Sequence, residues 1–368
     1  MCLNIKILRT KIRNKRAPVS TLPPRGRWAR LLMGFVAAAP FSLAQPAVGT
    51  ELALQARSAT AALTGHQNAQ GYWLTTYTST PRFQGTHQEM NTFLTSMIDD
   101  LVAPVAPAAG LEKSLQRART HLAGQIEEDG LVRYHGRPNS STIGPLGCRI
   151  TPDTDDTALV WRIAPGTHRE LLPRALATLR EYRTPEGLYL TWLAPKERYE
   201  CIDPGKDPNP PDVAIQMNLY LFLAQADPAG ARALCGALGR VIADERIWVY
   251  YRTAPLIPFL RRADLKQAGC GLRIPTPRWN TAAPGQDLWV AAVKQLDRLR
   301  GGVGGKPTAA EVGELLKKLA QDDFSALHRN PPLLYHNDFS ASTPRFYWSE
   351  DFGYALWLRL YFENVNRR

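Results

Sequence analysis

The residues best suited to chemistry in this sequence are three aspartates within four positions, Asp153, Asp155 and Asp156. They follow a proline and precede an apolar run that predicts a helix. The sequence thus places them at a helix N-terminus, where free N–H groups and the helix dipole stabilise negative charge. Three carboxyls so close together cannot all ionise at equal cost, and we expect at least one raised pKa. An aspartate that holds a proton near neutral pH can act as a general acid.

The same three residues also have a purely structural interpretation. One aspartate would cap the helix, and the other two would be solvated acids of its first turn. Only the elements that position the three side chains can decide between these interpretations.

The first 44 residues predict a targeting segment. Residues 1–30 contain nine Lys and Arg and no acid, and residues 31–44 form an apolar run of 14 residues that ends in small side chains. This run is too short for an ordinary membrane span, and its end has the spacing of a cleavage site. We expect a signal peptide cut near Ala44 and a periplasmic or secreted protein. An uncleaved segment would instead anchor residues 45–368 to the membrane.

Residues 45–368 are enough for one domain with a substantial core. The whole chain has 45 Lys and Arg against 33 Asp and Glu. Nine of these bases and none of the acids lie in the targeting segment, which leaves 36 against 33. The remaining net charge of about +3 gives no support to nucleic-acid binding.

A repeat with a period near 58 residues organises this domain. The pattern from Leu63 to Trp73, with Gly71 inside it, recurs around Gly130 and Gly187. Each copy follows a helical stretch, and glycine at that place is typical of a helix end in the left-handed conformation. Each unit therefore begins with an outer helix and a glycine turn.

A second series of matching positions, Asn91, Asp156 and Asp212, precedes more apolar helices. We therefore interpret Asp156 as a helix cap, which leaves Asp153 and Asp155 without counterparts in the other units. Apolar inner helices cannot bury themselves alone and must stack in pairs with the outer ones. The pattern predicts an all-α fold, a single toroid of about five to six helix pairs.

These features resemble those of a known family. The turn from Gln67 to Trp73 resembles the QW motif of squalene-hopene and oxidosqualene cyclases, and residues 153–156 resemble the D-x-D-D motif of these enzymes and of class II diterpene cyclases. The resemblance implies proton-initiated cyclisation or isomerisation of a prenyl or other polyolefinic lipid. Asp155 would be the Brønsted acid, and its two neighbouring acids would hold it in orientation. A small hydrophobic substrate and no cofactor are implied.

Several aromatic and polar residues are candidates for substrate binding. Aromatic faces stabilise developing carbocations, and basic side chains pair with the acids or with an anionic ligand. The candidates are Tyr134, His135, Arg149, Trp161, Tyr220 and Trp348.

Four cysteines follow the targeting segment, and an even number in an exported chain predicts two disulfides. Cys148 and Cys201 lie in equivalent loops of the repeat, so we expect them to pair, which leaves Cys235 with Cys270. No C-x-x-C or H-E-x-x-H pattern is present, and we expect no metal site.

Two other functions remain open. An exported carbohydrate-active hydrolase or lyase would have an open groove with two carboxyls about 5–10 Å apart. A non-catalytic envelope binding protein would leave Asp153 and Asp155 exposed on a flat rim with ordinary pKa values. The cyclase hypothesis predicts a deep, dry, aromatic cavity at Asp155. Residues 31–44 would also allow peripheral membrane contact, and the oligomeric state has no signal in the sequence.

Overall fold

The structure, a computed structural model, describes residues 48–137, 150–166, 168–203, 205–274, 283–337 and 344–366. These described residues belong to one compact unit. The predicted targeting segment, residues 1–44, lies outside the described residues, so export stays a prediction. Among the helices of the described ranges, none is both long and apolar enough to cross a bilayer.

Helices make up most of the described chain. They are α1 (Val48–His66), α2 (Thr92–Val102), α3 (Ala106–Ala109), α4 (Glu112–Ala123), α5 (Thr154–Ile163), α6 (Leu172–Glu181), α7 (Val213–Ala226), α8 (Pro228–Val241), α9 (Leu256–Gln267), α10 (Asp287–Leu299), α11 (Ala309–Arg329) and α12 (Glu350–Val365). Helix α11 is interrupted by four residues with non-helical dihedrals, Gln321–Phe324.

The prediction of an all-α fold is corrected by a four-stranded antiparallel sheet. Its strands are β1 (Leu74–Thr78), β2 (His87–Met90), β3 (Leu333–Asn337) and β4 (Arg345–Trp348), in the order β2-β1-β4-β3. Threonine and aromatic residues are frequent in these strands and favour a pleated, half-buried surface. The sheet joins residues near 75 to residues near 347, because Tyr77 is paired with Tyr347.

The helices fall into an inner and an outer set, as the repeat predicted. In α7, every residue from Val213 to Leu223 is buried, whereas α4 buries only one face. Contacts run in cyclic order through α2, α5, α7, α9, α10 and α12, and α12 contacts α2. Helices α1, α4 and α8 pack against α12, α2 and α7 respectively. A toroid requires this order, and the toroid itself stays a prediction.

The glycine turns tie the outer helices to the rest of the structure. Gly71 has φ +102°, and a Cβ there would lie 2.5 Å from the carbonyl oxygen of Arg117. Gln67 Nε2 donates to the carbonyl oxygens of Gly71 at 2.8 Å and Ser114 at 2.9 Å, and Trp73 Nε1 donates to the carbonyl of Leu63 at 2.8 Å. The QW-like residues are thus structural, because they join one outer helix to the next.

A disulfide joins Cys235 in α8 to Cys270, which follows α9, with a Cα–Cα distance of 5.9 Å. This is the second of the two pairs expected from the sequence. Cys201 is disulfide-bonded. Its expected partner, Cys148, lies outside the described residues, so that pairing stays a prediction.

Candidate active site

The three aspartates line a cavity of about 90 Å³ at the start of the inner helices. Aromatic side chains form most of the rest of its wall. The lining residues are Phe93, Tyr134, Ile150, Asp153, Asp155, Asp156, Thr191, Trp192, Ile215, Tyr250, Tyr251, Tyr335, Asn337 and Tyr347. The cavity is smaller than the about 300–1,000 Å³ of most ligand pockets, so it accepts only part of a long substrate.

The capping residue of α5 is Asp153, which corrects the assignment of that role to Asp156. Asp153 has an extended backbone (φ −130°, ψ 161°), and its Oδ1 accepts from the backbone N–H of Asp156 at 2.7 Å. Asn91 and Asp212 cap α2 and α7 in the same way. The register of the repeat therefore aligns Asp153 with these two caps, because each accepts from the N–H three residues later. The acids without a counterpart are Asp155 and Asp156.

Neighbouring segments fix the position of this helix start. The N–H of Asp153 donates to the carbonyl of Val132 at 3.2 Å, and the N–H of Thr154 donates to the carbonyl of Thr191 at 2.8 Å. The hydroxyl of Thr154 donates to the carbonyl of Leu190 at 2.6 Å. The acids thus lie on a segment held on both sides by glycine-turn loops.

Asp155 is buried, with 7% of its surface exposed, and it has one identified side-chain partner. Asn218 Nδ2 in α7 donates to Asp155 Oδ1 at 2.8 Å. Burial raises the pKa of Asp155 to about 6, against the smaller lowering effects of the Asn218 hydrogen bond and the positive charge of Arg261. Asp155 therefore retains a proton in slightly acidic solution, which an ordinary surface aspartate does not.

A buried arginine fixes the direction of the Asn218 amide. Arg261 is 1% exposed, and its Nε donates to Asn218 Oδ1 at 2.6 Å. The amide nitrogen must therefore face Asp155, because guanidinium has no acceptor. Arg261 also pairs with Asp100, which Arg162 contacts as well. Although burial raises the pKa of Asp100, the two guanidinium groups hold that pKa well below its usual range.

Asp153 and Asp156 are two further buried carboxyls beside Asp155, at 4% and 2% exposure. The hydroxyl of Thr92 in α2 donates to Asp156 Oδ1. Burial and the charge of Asp155 raise the pKa of Asp156 to about 7. Burial and the charge of Asp156 raise the pKa of Asp153 well above its ordinary value. Two buried carboxyls that repel each other cannot both ionise easily, so ionisation of one disfavours ionisation of the other.

The sheet supplies an aromatic wall of the same cavity. The rings of Tyr335 and Tyr347 stack with centroids 4.3 Å apart, and Phe93 meets Tyr335 edge-on at 5.4 Å. The loop before α9 adds Tyr250 and Tyr251. Electron-rich ring faces attract cationic groups, so this wall suits a substrate that acquires positive charge.

The residues proposed from the sequence for substrate binding have different positions. Tyr134 lines the cavity. His135 is buried next to it, with Nε2 at 3.6 Å from Glu89 Oε1, and does not line the cavity. Arg149 lies outside the described residues.

Three of those candidates are placed away from the cavity, which corrects the interpretation of each. Trp161 Nε1 donates to the carbonyl of Gly130 at 2.7 Å and so braces a glycine turn. Tyr220 donates its hydroxyl to the carbonyl of Ala268 at 2.6 Å. Trp348 donates to Thr78 Oγ1 at 2.9 Å and packs against Phe83 on the other face of the sheet.

Several lining residues were missed, and one signal could have found Tyr347. Side chains alternate between the faces of a strand, so a buried Trp348 on one face implies Tyr347 on the other. Tyr250, Tyr251 and Tyr335 lie where the repeat is blurred or in an unrecognised strand, and no sequence pattern connects them to Asp155.

Comparisons with known proteins identify the fold. No protein-family model matches the chain, and no curated protein matches it. Its fold is similar to that of a protein from Actinoplanes (TM-score 0.54, 13% identity, 85% of this chain and 99% of that one). It is also similar to two variants of the type II terpene cyclase MstE from Scytonema, each covering 87% of this chain and 99% of that one. One is in complex with the product merosterolic acid A (TM-score 0.53, 15% identity), the other with the substrate geranylgeranyl dihydroxybenzoate (TM-score 0.51, 14% identity). The fold is terpene cyclase-like, and at these identities the likeness shows the fold alone.

Proposed function

We propose that this protein is a type II terpene cyclase-like enzyme that protonates a C=C bond of a prenyl-type substrate with Asp155. The observation that carries the proposal is a buried carboxyl with a raised pKa in an aromatic cavity. The likeness to a cyclase that binds a geranylgeranyl compound supports this substrate class. We also propose that the inner helices in cyclic contact form a closed toroid around the cavity.

The contacts of Asp155 support its role as the acid. Asn218 donates to Oδ1, and this amide cannot rotate without losing its bond to Arg261. Oδ1 is therefore an acceptor, and the proton resides on Oδ2. Asp153 and Asp156 contribute differently, since Asp153 caps α5 and Asp156 ties that helix to Thr92.

In the proposed reaction, the proton of Asp155 Oδ2 adds to one alkene carbon and leaves a tertiary cation on the other. A further C=C bond of the same chain attacks this cation and closes a ring. Loss of a proton beside the last cation regenerates an alkene, so the product is an isomer of the substrate. Aromatic faces of Phe93, Tyr251 and Tyr335 stabilise the cations.

The aspartates Asp99 and Asp100 do not offer an alternative site for ionising a diphosphate. Asp99 pairs with Arg119, and Asp100 pairs with Arg162 and Arg261. Their negative charge is thus already neutralised by side chains of the protein.

The two alternatives have less support from the geometry. Asp153 Oδ1 accepts from the N–H of Asp156 as the cap of α5, and Asp156 Oδ1 accepts from the hydroxyl of Thr92. Both carboxyls thus have structural partners, whereas a glycoside hydrolase needs a second carboxyl that acts on the substrate. A non-catalytic protein with exposed acids would leave Asp155 with an ordinary pKa, whereas burial raises that pKa to about 6.

The test is turnover in D₂O with geranylgeranyl dihydroxybenzoate, squalene and shorter prenyl compounds, with products identified by mass spectrometry. We expect a cyclic isomer with one added deuterium, and a rate about 10²–10⁴-fold lower in D155N. E128Q, a change at an exposed carboxyl, is the matched control. Absence of any product, or equal rates for D155N and the unchanged protein, would overturn the proposal.

A further inference from the structure

Another buried carboxyl, outside the acid cluster, is hydrogen-bonded to a tyrosine that lines the cavity. Glu89 in β2 is 4% exposed, and its Oε1 accepts from the hydroxyl of Tyr134 at 2.7 Å. Its Oε2 is buried with no hydrogen-bond partner among the described residues. The half-buried Arg345 and the imidazole of His135 are the basic groups near it. Glu89 is therefore a hydrogen-bond acceptor joined to a tyrosine that lines the cavity. The protonation of the substrate by Asp155 does not use it.

The hydrogen bonds around Tyr134 have a fixed direction. Asn91 Oδ1 accepts from the N–H of Leu94 as the cap of α2, so its Nδ2 is the donor to Tyr134, at 2.8 Å. The single proton of Tyr134 goes to Glu89, and its oxygen accepts from Asn91. The close contact between the hydroxyls of Tyr134 and Tyr335 therefore has Tyr335 as the donor.

These directions produce a chain of donors from Tyr335 through Tyr134 to Glu89. Tyr335 lines the cavity, and its stack with Tyr347 holds the ring in place. The hydroxyl of Tyr335 donates its own proton to Tyr134. The lone pairs of the Tyr335 oxygen can therefore accept another proton. Burial raises the pKa of both Tyr134 and Tyr335 well above the ordinary value, so each keeps its hydroxyl proton at neutral pH.

We propose that Tyr335, Tyr134 and Glu89 form a proton relay that accepts the proton lost by the final carbocation. The inference rests on the proposed function, and it assigns the proton-accepting end of the reaction. The C–H bond beside the cationic carbon breaks, and its electron pair forms the new C=C bond. The released proton binds the oxygen of Tyr335, while the proton of Tyr335 moves to Tyr134 and that of Tyr134 to Glu89. Asp155 has then lost one proton and Glu89 has gained one, and exchange with solvent restores both.

The relay has a specific chemical consequence. Without a base near the last cation, water or a different C–H bond quenches it, giving alcohols or other alkene isomers. Changes in the relay therefore alter which product forms, whereas changes at Asp155 alter whether any product forms.

The experiment compares E89Q, Y335F, D155N and the control E128Q for substrate loss, deuterium uptake and product distribution. In E89Q and Y335F we expect the rate of forming the normal alkene to fall about 10²–10⁴-fold, with deuterated alcohols or isomers in its place. D155N should consume almost no substrate. Y335F removes one hydroxyl and leaves the stacked ring, so it keeps the test valid if E89Q does not fold.

The outcomes separate the two proposals. The normal alkene formed at the normal rate by both E89Q and Y335F would overturn the relay and leave the function intact. No turnover by the unchanged protein would overturn the function and the relay with it.

Binding of geranyldimethylamine, a cation at slightly acidic pH, gives an independent measure by calorimetry. E89Q should weaken this binding about tenfold, which is the effect of about 1.4 kcal/mol, and unchanged binding would count against the relay.

Discussion

The starts of α5 and α7 are built alike but carry different residues beyond the cap. Asp212 caps α7 by accepting from the N–H of Ala214 at 2.8 Å, and its Oδ2 accepts from the N–H of Val249 at 2.9 Å and of Tyr250 at 3.1 Å. It is a buried acid whose oxygens are used by the backbone. Asp153 caps α5 similarly.

The next positions differ. In α7 the second and third residues after the cap are Ala214 and Ile215, whereas in α5 they are Asp155 and Asp156. Ile215, Asp155 and Asp156 all line the cavity. A buried aspartate at the capping position is thus a structural feature shared by both helices. The acids two and three residues after the cap, Asp155 and Asp156, have no such structural explanation.

The largest effects should come from removing one acid from each helix start. D212A leaves the N–H groups of Ala214, Val249 and Tyr250 without their acceptor, so we expect a loss of about 2–4 kcal/mol in the free energy of unfolding. D155A copies the alanine of α7 and removes a buried charge, so the fold should be at least as stable as before at pH 8, while turnover is lost. Chemical denaturation and product assays measure both. Equal destabilisation by the two changes would remove the distinction between them.

The pH dependence of stability sharpens the same contrast. The pKa of Asp155 is about 6 in the folded protein against an ordinary value of 3.8, so folding favours its protonated form. Below pH 3.8 this preference contributes fully to the free energy of unfolding. The contribution, about 3 kcal/mol in total, is lost as the pH rises through 6. Unfolding of the unchanged protein and D155N between pH 4 and 8 measures this difference. The two curves should converge at low pH, and parallel curves would contradict the raised pKa.

A smaller effect is expected at the hydrogen bond that α7 makes to α5. N218A removes the donor to Asp155, so the pKa of Asp155 should rise further, by about one unit. The alkaline limb of the pH–rate profile should move upward by that amount. Arg261 Nε also loses its acceptor, at a cost of about 1–3 kcal/mol. Q225A, an exposed change in the same helix, is the control. A profile that does not move would show that Asn218 has no part in setting the acidity of Asp155.

The smallest effect should come from Trp161, later in α5. W161F deletes the hydrogen bond to the carbonyl of Gly130, so we expect a loss of about 1 kcal/mol in stability and no change in kcat or KM. Thermal unfolding and steady-state kinetics measure the two quantities. A raised KM would indicate that Trp161 contacts the substrate. It would weaken the proposal that aromatic residues of the sheet bind the substrate instead.

Much of the fold could be predicted because the repeat is local. The glycine turns and paired helices follow from spacings within about 60 residues, and the acid cluster is contiguous in sequence. The register of the caps could not be fixed, because Asp153 and Asp156 are equally good capping residues. Only the backbone conformation shows which one accepts from the N–H three residues later.

The aromatic wall could not be predicted for a different reason. It depends on strands of four or five residues that pair across the chain, and such short segments resemble loops in a helical repeat. Tyr335 and Tyr347 are brought to Asp155 by the pairing of β3 with β4 and of β4 with β1. Long-range pairing of this kind leaves no periodic signal.

The pairing of β1 with β4 also has a consequence for how the protein folds. Thr76 is opposite Trp348, so this contact closes a loop of more than 200 residues, at a considerable entropic cost. Contacts of such sequence separation slow folding and form after the local helix pairs. A chain that ends near residue 330 during synthesis already has its acids but lacks Tyr335 and Tyr347. The acid therefore becomes enclosed only in the last stage of folding.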